Sequence, residues 1–288
     1  MLNRSLIGKK YPPVVFNVEK QRLKFFAKAT GQTDPLYFDE TYAVDQGHPS
    51  LLAPPTFLTT VAMEQEKPYQ YLEDLNIKMG RLLHARQMYS YHAPVYAGDT
   101  ITMESKIADM YEKKEGTLQF VVFKSYFKIR NKTRSQKHHL PWWYDKIMEN
   151  WNYNTAKVRD RIPHLTLEPI SRTSLALYAG ASGDHNPIHI DLDFAKKSGL
   201  PDVIAHGMLV MAYLGRALTN IIQQAAIQEF GVQFSSMTQI GDTLTCSGVV
   251  IEQINNDELK SITLDLVVSD SKGDKKLSGH AIIKLKNS

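Results

Sequence analysis

The run Ser182-Gly183-Asp184-His185-Asn186-Pro187-Ile188-His189-Ile190-Asp191 places a carboxylate, an amide and an imidazole side by side, and Ala205-His206-Gly207-Met208 follows it. A carboxylate and an imidazole can share general acid and base work, and a backbone N–H at a helix start can hold a developing oxyanion. Together they suit the addition of water to a polarised double bond. In one helix Asp184 and His189 would sit on different faces, but Gly183 and Pro187 argue against a continuous helix, so the spacing predicts a loop.

The flanking elements must position that loop. Arg172 to Ser182 carries apolar Leu175, Leu177, Tyr178 and Ala181, with Ser171 as N-cap and Gly183 as stop, and reads as a helix. His206 to Ala226 is nearly continuous in Met, Leu, Val, Ala and Ile and reads as a buried helix. Gly207 then falls at its N-terminus, where backbone N–H groups lack intrahelical partners and the dipole is positive.

Gly-Asp-x-Asn-Pro-x-His followed by His-Gly-Met resembles the MaoC-like, (R)-specific enoyl-CoA hydratase and 3-hydroxyacyl thioester dehydratase family. The resemblance extends over most of residues 160 to 288 and implies an α+β hotdog fold, a long helix wrapped by an antiparallel sheet. It implies that Asp184 and His189 hold and activate water, that Asn186 orients the site, and that the Gly207 N–H is the oxyanion donor. His206, Met208 and Ala212 are the candidate substrate contacts. Ala212 is also a departure, because some members carry a serine there.

The chain repeats itself. Thr30-Gly31-Gln32-Thr33-Asp34-Pro35-Leu36-Tyr37-Phe38-Asp39 aligns with Ser182 to Asp191 at an offset of 152 (187 minus 35), which also carries Leu52 to Phe57 onto Ile204 to Leu209. Gly98-Asp99-Thr100 matches Gly241-Asp242-Thr243 at an offset of 143 (241 minus 98), so the first half holds about nine extra residues between its helix and this turn. Two copies of one domain are implied: a degenerate hotdog at 1–140, a linker at 141–159 and a catalytic hotdog at 160–288. At the site positions the first copy has Gln32, Asp34 and Tyr37 in place of Asp184, Asn186 and His189, and Pro55 in place of Gly207. A proline has no N–H to offer an oxyanion, so this copy is expected to be inert. It resembles the degenerate half of double-hotdog hydratases, where it accommodates a bulky acyl chain; the alternative is a packing partner that replaces a second subunit. Asp39 and Asp191 match across both copies and point to capping.

Strands are expected at Thr117 to Lys128, Ser261 to Val268 and Leu277 to Leu285, with a hairpin at Asp270 to Asp274. At 288 residues and 43% hydrophobic content the chain suits two cores. No run approaches the roughly 18 apolar residues of a membrane span, and the N-terminus lacks a signal-peptide pattern. Cys246 is alone, which excludes an intramolecular disulfide and fits a cytoplasmic, reducing compartment. A net charge of +4 is too mild to argue for nucleic-acid binding. In the region between the domains, Gln136 to Pro163, His138 and His139 lack a third metal ligand at suitable spacing, and Trp142, Trp143 and Trp151 would clamp it onto a neighbouring surface.

The expected activity is reversible syn hydration of a trans-2-enoyl thioester to the (R)-3-hydroxyacyl thioester. No cofactor or metal is called for, because CoA or the pantetheine of acyl carrier protein belongs to the substrate. Lys124, Lys128, Arg130, Lys132, Arg134 and Lys137, with Arg81, Arg86 and Arg216, are the basic residues that such carriers could meet. A 3-hydroxyacyl-ACP dehydratase, an acyl-thioesterase and a non-catalytic acyl-thioester binding module are the competing readings. The internal duplication allows either a monomer with a pseudo-dimeric fold or a homodimer.

Overall fold

The computed structural model describes residues 2–130, 151–256 and 260–286. In chain order the elements are β1 (Val14–Asn17), α1 (Lys20–Ala29), α2 (Glu40–Asp45), α3 (Leu58–Met63), α4 (Gln70–Asp74), β2 (Arg86–Ser90), β3 (Thr100–Lys113) and β4 (Leu118–Arg130). The second half continues with β5 (Leu165–Thr166), α5 (Arg172–Ser182), α6 (Leu192–Lys197), α7 (Gly207–Thr219), β6 (Ile227–Phe234), β7 (Leu244–Asn255), β8 (Lys260–Asp270) and β9 (Lys275–Lys284).

The architecture is a double hotdog of the α+β class. The six-stranded sheet runs β2-β6-β9-β8-β7-β5 and a second sheet runs β1-β3-β4. Ile262, Leu264, Leu266 and Val268 alternate along β8 and are fully buried, as period-two patterning against one covered face requires. Leu209, Met211, Leu214 and Leu218 of α7 are equally buried in the same core.

The duplication is written into the hydrogen bonds. Val18 N donates to Asp99 O and Ile170 N to Asp242 O, each at 2.9 Å, while Gly98 N donates to Val18 O and Gly241 N to Ile170 O, each at 2.8 Å. Both turns need a left-handed residue, Gly98 at φ 91° and Gly241 at φ 85°. The Asp99 and Asp242 carboxylates accept from Tyr96 N and Gln239 N, each at 2.8 Å. The halves join where β2 pairs with β6, and Met88 faces Gly231, its counterpart at the 143 offset (231 minus 88). That pair marks the local two-fold axis. Across it α1 packs on α5, with Phe25 against Gly180.

The capping expectations hold. Ser171 and Ser174 form a reciprocal capping box on α5, and Gly183 ends it at φ 77°. Asp39 caps α2 through Tyr42 N, and Asp191 caps α6 through Phe194 N. The helix expected over His206 to Ala226 is shorter, ending at Thr219 before a turn and a 3-10 segment at Gln224–Ala226. Gln224 explains the break: its Nε2 donates to Ala53 O at 2.7 Å and its Oε1 accepts from Tyr37 Oη at 2.8 Å. Thr219 and Asn220 interrupt the apolar pattern where the helix ends, and the tertiary bonds from the first half hold the break although Ile221 and Ile222 beyond it are buried.

Trp151 is buried in the main core. His138, His139, Pro141, Trp142, Trp143, Lys132, Arg134 and Lys137 lie outside the described residues, as do the 140 boundary and most of the expected linker.

Candidate active site

The loop after α5 is held by its own polar groups. Asn186 Oδ1 accepts from Ile188 N at 3.3 Å, starting a 3-10 turn over Pro187–His189. Asp184 Oδ1 accepts from Asn186 N at 3.2 Å. His189 Nδ1 lies 2.8 Å from Ile204 O. A carbonyl can only accept, so Nδ1 carries the proton and Nε2 presents its lone pair. His206 Nε2 in the same way donates to Asp184 O at 3.1 Å, which ties the loop to the start of α7.

Asp184, His189 and His206 converge, with a donor atom of each within 4.8 Å of the others. The two imidazoles stack at 3.8 Å between centroids and 29° between planes. Such a stack works against a shared metal ion, because imidazole lone pairs lie in the ring planes and near-parallel planes do not converge at the roughly 2.0–2.1 Å of a metal–nitrogen bond. Gly207 opens α7, and His206, its N-cap, makes no side-chain bond to the first turn. Leu209 N and Val210 N already donate to His206 O, so the Gly207 and Met208 amides are the ones left available to a ligand.

Burial pushes the Asp184 carboxyl up, but His206, the Tyr69 hydroxyl, His189 and the Asn186 amide outweigh it and leave it below its ordinary value. Because His206 is itself neutral near pH 7, the Tyr69 and Asn186 donors are the causes that operate there. Burial lowers His189, against the opposing pull of Ile204 O and Asp184. Burial, with His189 next to it, pushes His206 down to about 3. Near neutral pH the site holds one carboxylate and two neutral imidazoles.

That charge state makes stability depend on pH. In the unfolded chain His206 titrates near 6.5, whereas in the fold it stays neutral to about 3. Between those values the unfolded chain binds a proton that the folded chain does not, so stability falls as pH drops below about 6.5, by about 1.4 kcal/mol per pH unit for this one group. His189 is shifted in the same direction and adds to the slope. Thermal unfolding from about pH 7 to about pH 4.5 is expected to lose Tm more steeply in the wild type than in His206→Gln; equal slopes would mean that the folded ring accepts the proton.

The remaining expected residues fall as follows. Met208 and Ala212 are buried within α7, while His185 is exposed. In the first half, Gln32 Oε1 accepts from Thr219 Oγ1 at 3.5 Å, and Tyr37 braces Gln224. Pro55 stands in a turn before α3, which begins only at Leu58. Residues matching the acid–base pair thus serve as struts against the second half. The sequence reading missed Tyr69, whose hydroxyl donates to Asp184 Oδ1 at 2.7 Å. Its one sequence signal was the surplus of about nine residues in the first half.

A double hotdog with, among the described residues, one carboxylate–imidazole centre beside an uncapped helix start is the class that fold and site define. Known proteins agree with it. The model of the FAS1-like dehydratase domain region matches residues 5–133, and that of the MaoC like domain matches residues 155–271. A UPF0336 protein of Streptomyces coelicolor is 38% identical over 109 residues, 37% of this chain and 71% of its own length. A solved MaoC-like dehydratase superposes at a TM-score of 0.80 with 20% identity, over 98% of this chain and 99% of its own. A MaoC-like dehydratase from Phytophthora capsici does so at 0.67 with 18% identity, over 99% and 98%. The chain belongs to the MaoC-like hotdog dehydratase family. Its general activity is that of a hydratase/dehydratase. Among the described residues no helix is long and apolar enough to cross a membrane.

Proposed function

We propose that this protein reversibly adds water to a trans-2-enoyl thioester, forming the (R)-3-hydroxyacyl thioester, with CoA as the thiol carrier. The observation that carries the reading is the convergence of Asp184 and the unprotonated Nε2 of His189 next to the uncapped start of α7. A carboxylate and a neutral imidazole are both acceptors, so they can take the two O–H groups of one water. As the water oxygen bonds to C3, one of its protons passes to the pair, and the pair returns a proton to C2 on the same face. The negative charge that gathers on the thioester oxygen meets the Gly207 N–H and the positive end of the α7 dipole. Asn186 keeps the loop in register. His206 orients the loop through Asp184 O, and Met208 and Ala212 follow it along the helix that backs the acyl group.

Read in reverse, the same steps dehydrate a 3-hydroxyacyl thioester, including one held on acyl carrier protein. The test is a chain-length series of trans-2-enoyl-CoA substrates, followed by loss of the conjugated thioester absorbance and by product chirality. The expected result is (R)-3-hydroxyacyl-CoA with no free CoA. Release of free CoA would make the protein a thioesterase, and inertness toward both enoyl-CoA and enoyl-carrier substrates would leave an acyl-thioester binding module.

A further inference from the structure

The two oxygens of Asp184 are not equivalent. Oδ1 accepts from Tyr69 Oη at 2.7 Å and from Asn186 N at 3.2 Å, whereas Oδ2 receives no hydrogen bond from any described residue. Tyr69 comes from the opposite half, 115 positions away in sequence, and from the surplus stretch that follows the short α3. It immediately precedes α4 and is its N-cap. That helix is pinned to the first half: Leu72 is buried, Tyr71 meets Phe123 of β4 edge-on at 5.1 Å, and Asp74 pairs with Lys9 Nζ at 2.7 Å and accepts from Tyr11 Oη at 3.0 Å. The phenol therefore reaches Asp184 from a braced support, so little side-chain freedom is left to lose.

We propose that Tyr69 is a positioning residue of the site: its hydroxyl fixes the Asp184 carboxylate so that Oδ2 is the oxygen offered to the reacting water, and the degenerate half thereby completes the catalytic centre. The inference rests on the hydration reading for its kinetic consequence and on geometry alone for the Tyr69–Asp184 contact. A phenol O–H donating to a carboxylate is a charge-assisted bond that favours the ionised form. Burial, followed by Asp184 itself, pushes the Tyr69 phenol far above its ordinary value, so it remains a donor near neutral pH. The role also accounts for the surplus residues: the first copy has lost its acid–base pair and has gained a segment that serves the other copy's pair.

The test compares the wild type with Tyr69→Phe by two measurements. One is the pH profile of kcat/KM for the enoyl-CoA that the wild type turns over best. The other, without substrate, is NMR titration of carbon-13-labelled aspartate, with Asp184→Asn assigning the Asp184 signal. The expected result is that loss of the hydroxyl raises both the acid limb and the Asp184 midpoint by about one pH unit, while kcat falls about ten- to a hundredfold. An Asp184 midpoint that stays put, or an acid limb that stays put in an active enzyme, would overturn the inference and leave Tyr69 as interface packing. If the wild type hydrates no enoyl-CoA, the proposed function fails, yet the titration still decides the Tyr69 inference. Should Tyr69→Phe not fold, 3-fluorotyrosine at position 69, a stronger donor of nearly the same shape, is expected to lower the Asp184 midpoint, and no movement would overturn the inference in the same way.

Discussion

Asp184→Asn is expected to lower kcat for enoyl-thioester hydration by about 10² to 10⁴, and His189→Gln by a similar factor. Each substitution is close to isosteric and keeps the local bonds in reach: an amide oxygen at 184 can still accept from Asn186 N, and an amide at 189 can still donate to Ile204 O. What each removes is an acceptor that can take a proton. The two losses should not add, because one water and one proton relay serve both groups; the double variant is expected to fall only slightly below the worse single one. KM should change little, since neither side chain's main work is to hold the thioester carrier. A pH profile would report the protonation of the pair as a unit. Asp184 lies below its ordinary value and is ionised over the working range, and His189, also lowered, stays neutral, so rate should be lost as pH falls and the pair takes up a proton. Losses under tenfold for both single variants would sink the assignment.

The centre was legible in sequence because its groups are near neighbours along the chain. Asp184, Asn186 and His189 share one loop, and that loop is closed by side chains within it, so order and spacing carry most of the geometry. The same holds for the Gly98 and Gly241 turns, where a left-handed residue and a carboxylate three positions beyond the amide it accepts form a local unit. Two features were not legible. The end of α7 is set by Gln224 bonding to Ala53 and Tyr37 across the halves, and the polar pair Thr219-Asn220 that interrupts the apolar stretch there does not by itself report that bond. Tyr69 reaches Asp184 from another domain, and the short stretch Pro68-Tyr69-Gln70-Tyr71-Leu72 gives no local sign of which tyrosine makes that contact. The repeat alignment marks only a surplus of about nine residues between Pro55 and Gly98, a stretch that contains Tyr69 without singling it out.

Gly207→Pro is expected to lower kcat by about 10² to 10³, the usual effect of losing one oxyanion donor. The first copy supplies the substitution, since Pro55 occupies the matching position. Proline is well tolerated as the first residue of a helix because the N–H that it lacks has no intrahelical partner there, so α7 should still form. The new side chain is not free of cost, however. A Cβ at Gly207 would stand 3.0 Å from Phe234 Cε1 and 3.1 Å from its Cδ1, and the ring must shift. Gly207→Ala meets the same ring with the same Cβ and keeps the amide, so the difference between the two variants removes the Cβ contact and leaves the lost donor with the proline ring atom that replaces it. If the N–H carries oxyanion charge, alanine should lose a small factor and proline about a hundredfold more, mostly in kcat, because that charge is fully developed only in the transition state. Equal losses in the two variants, with matching Tm values, would transfer the effect from the amide to the displaced Phe234 and remove Gly207 from the mechanism.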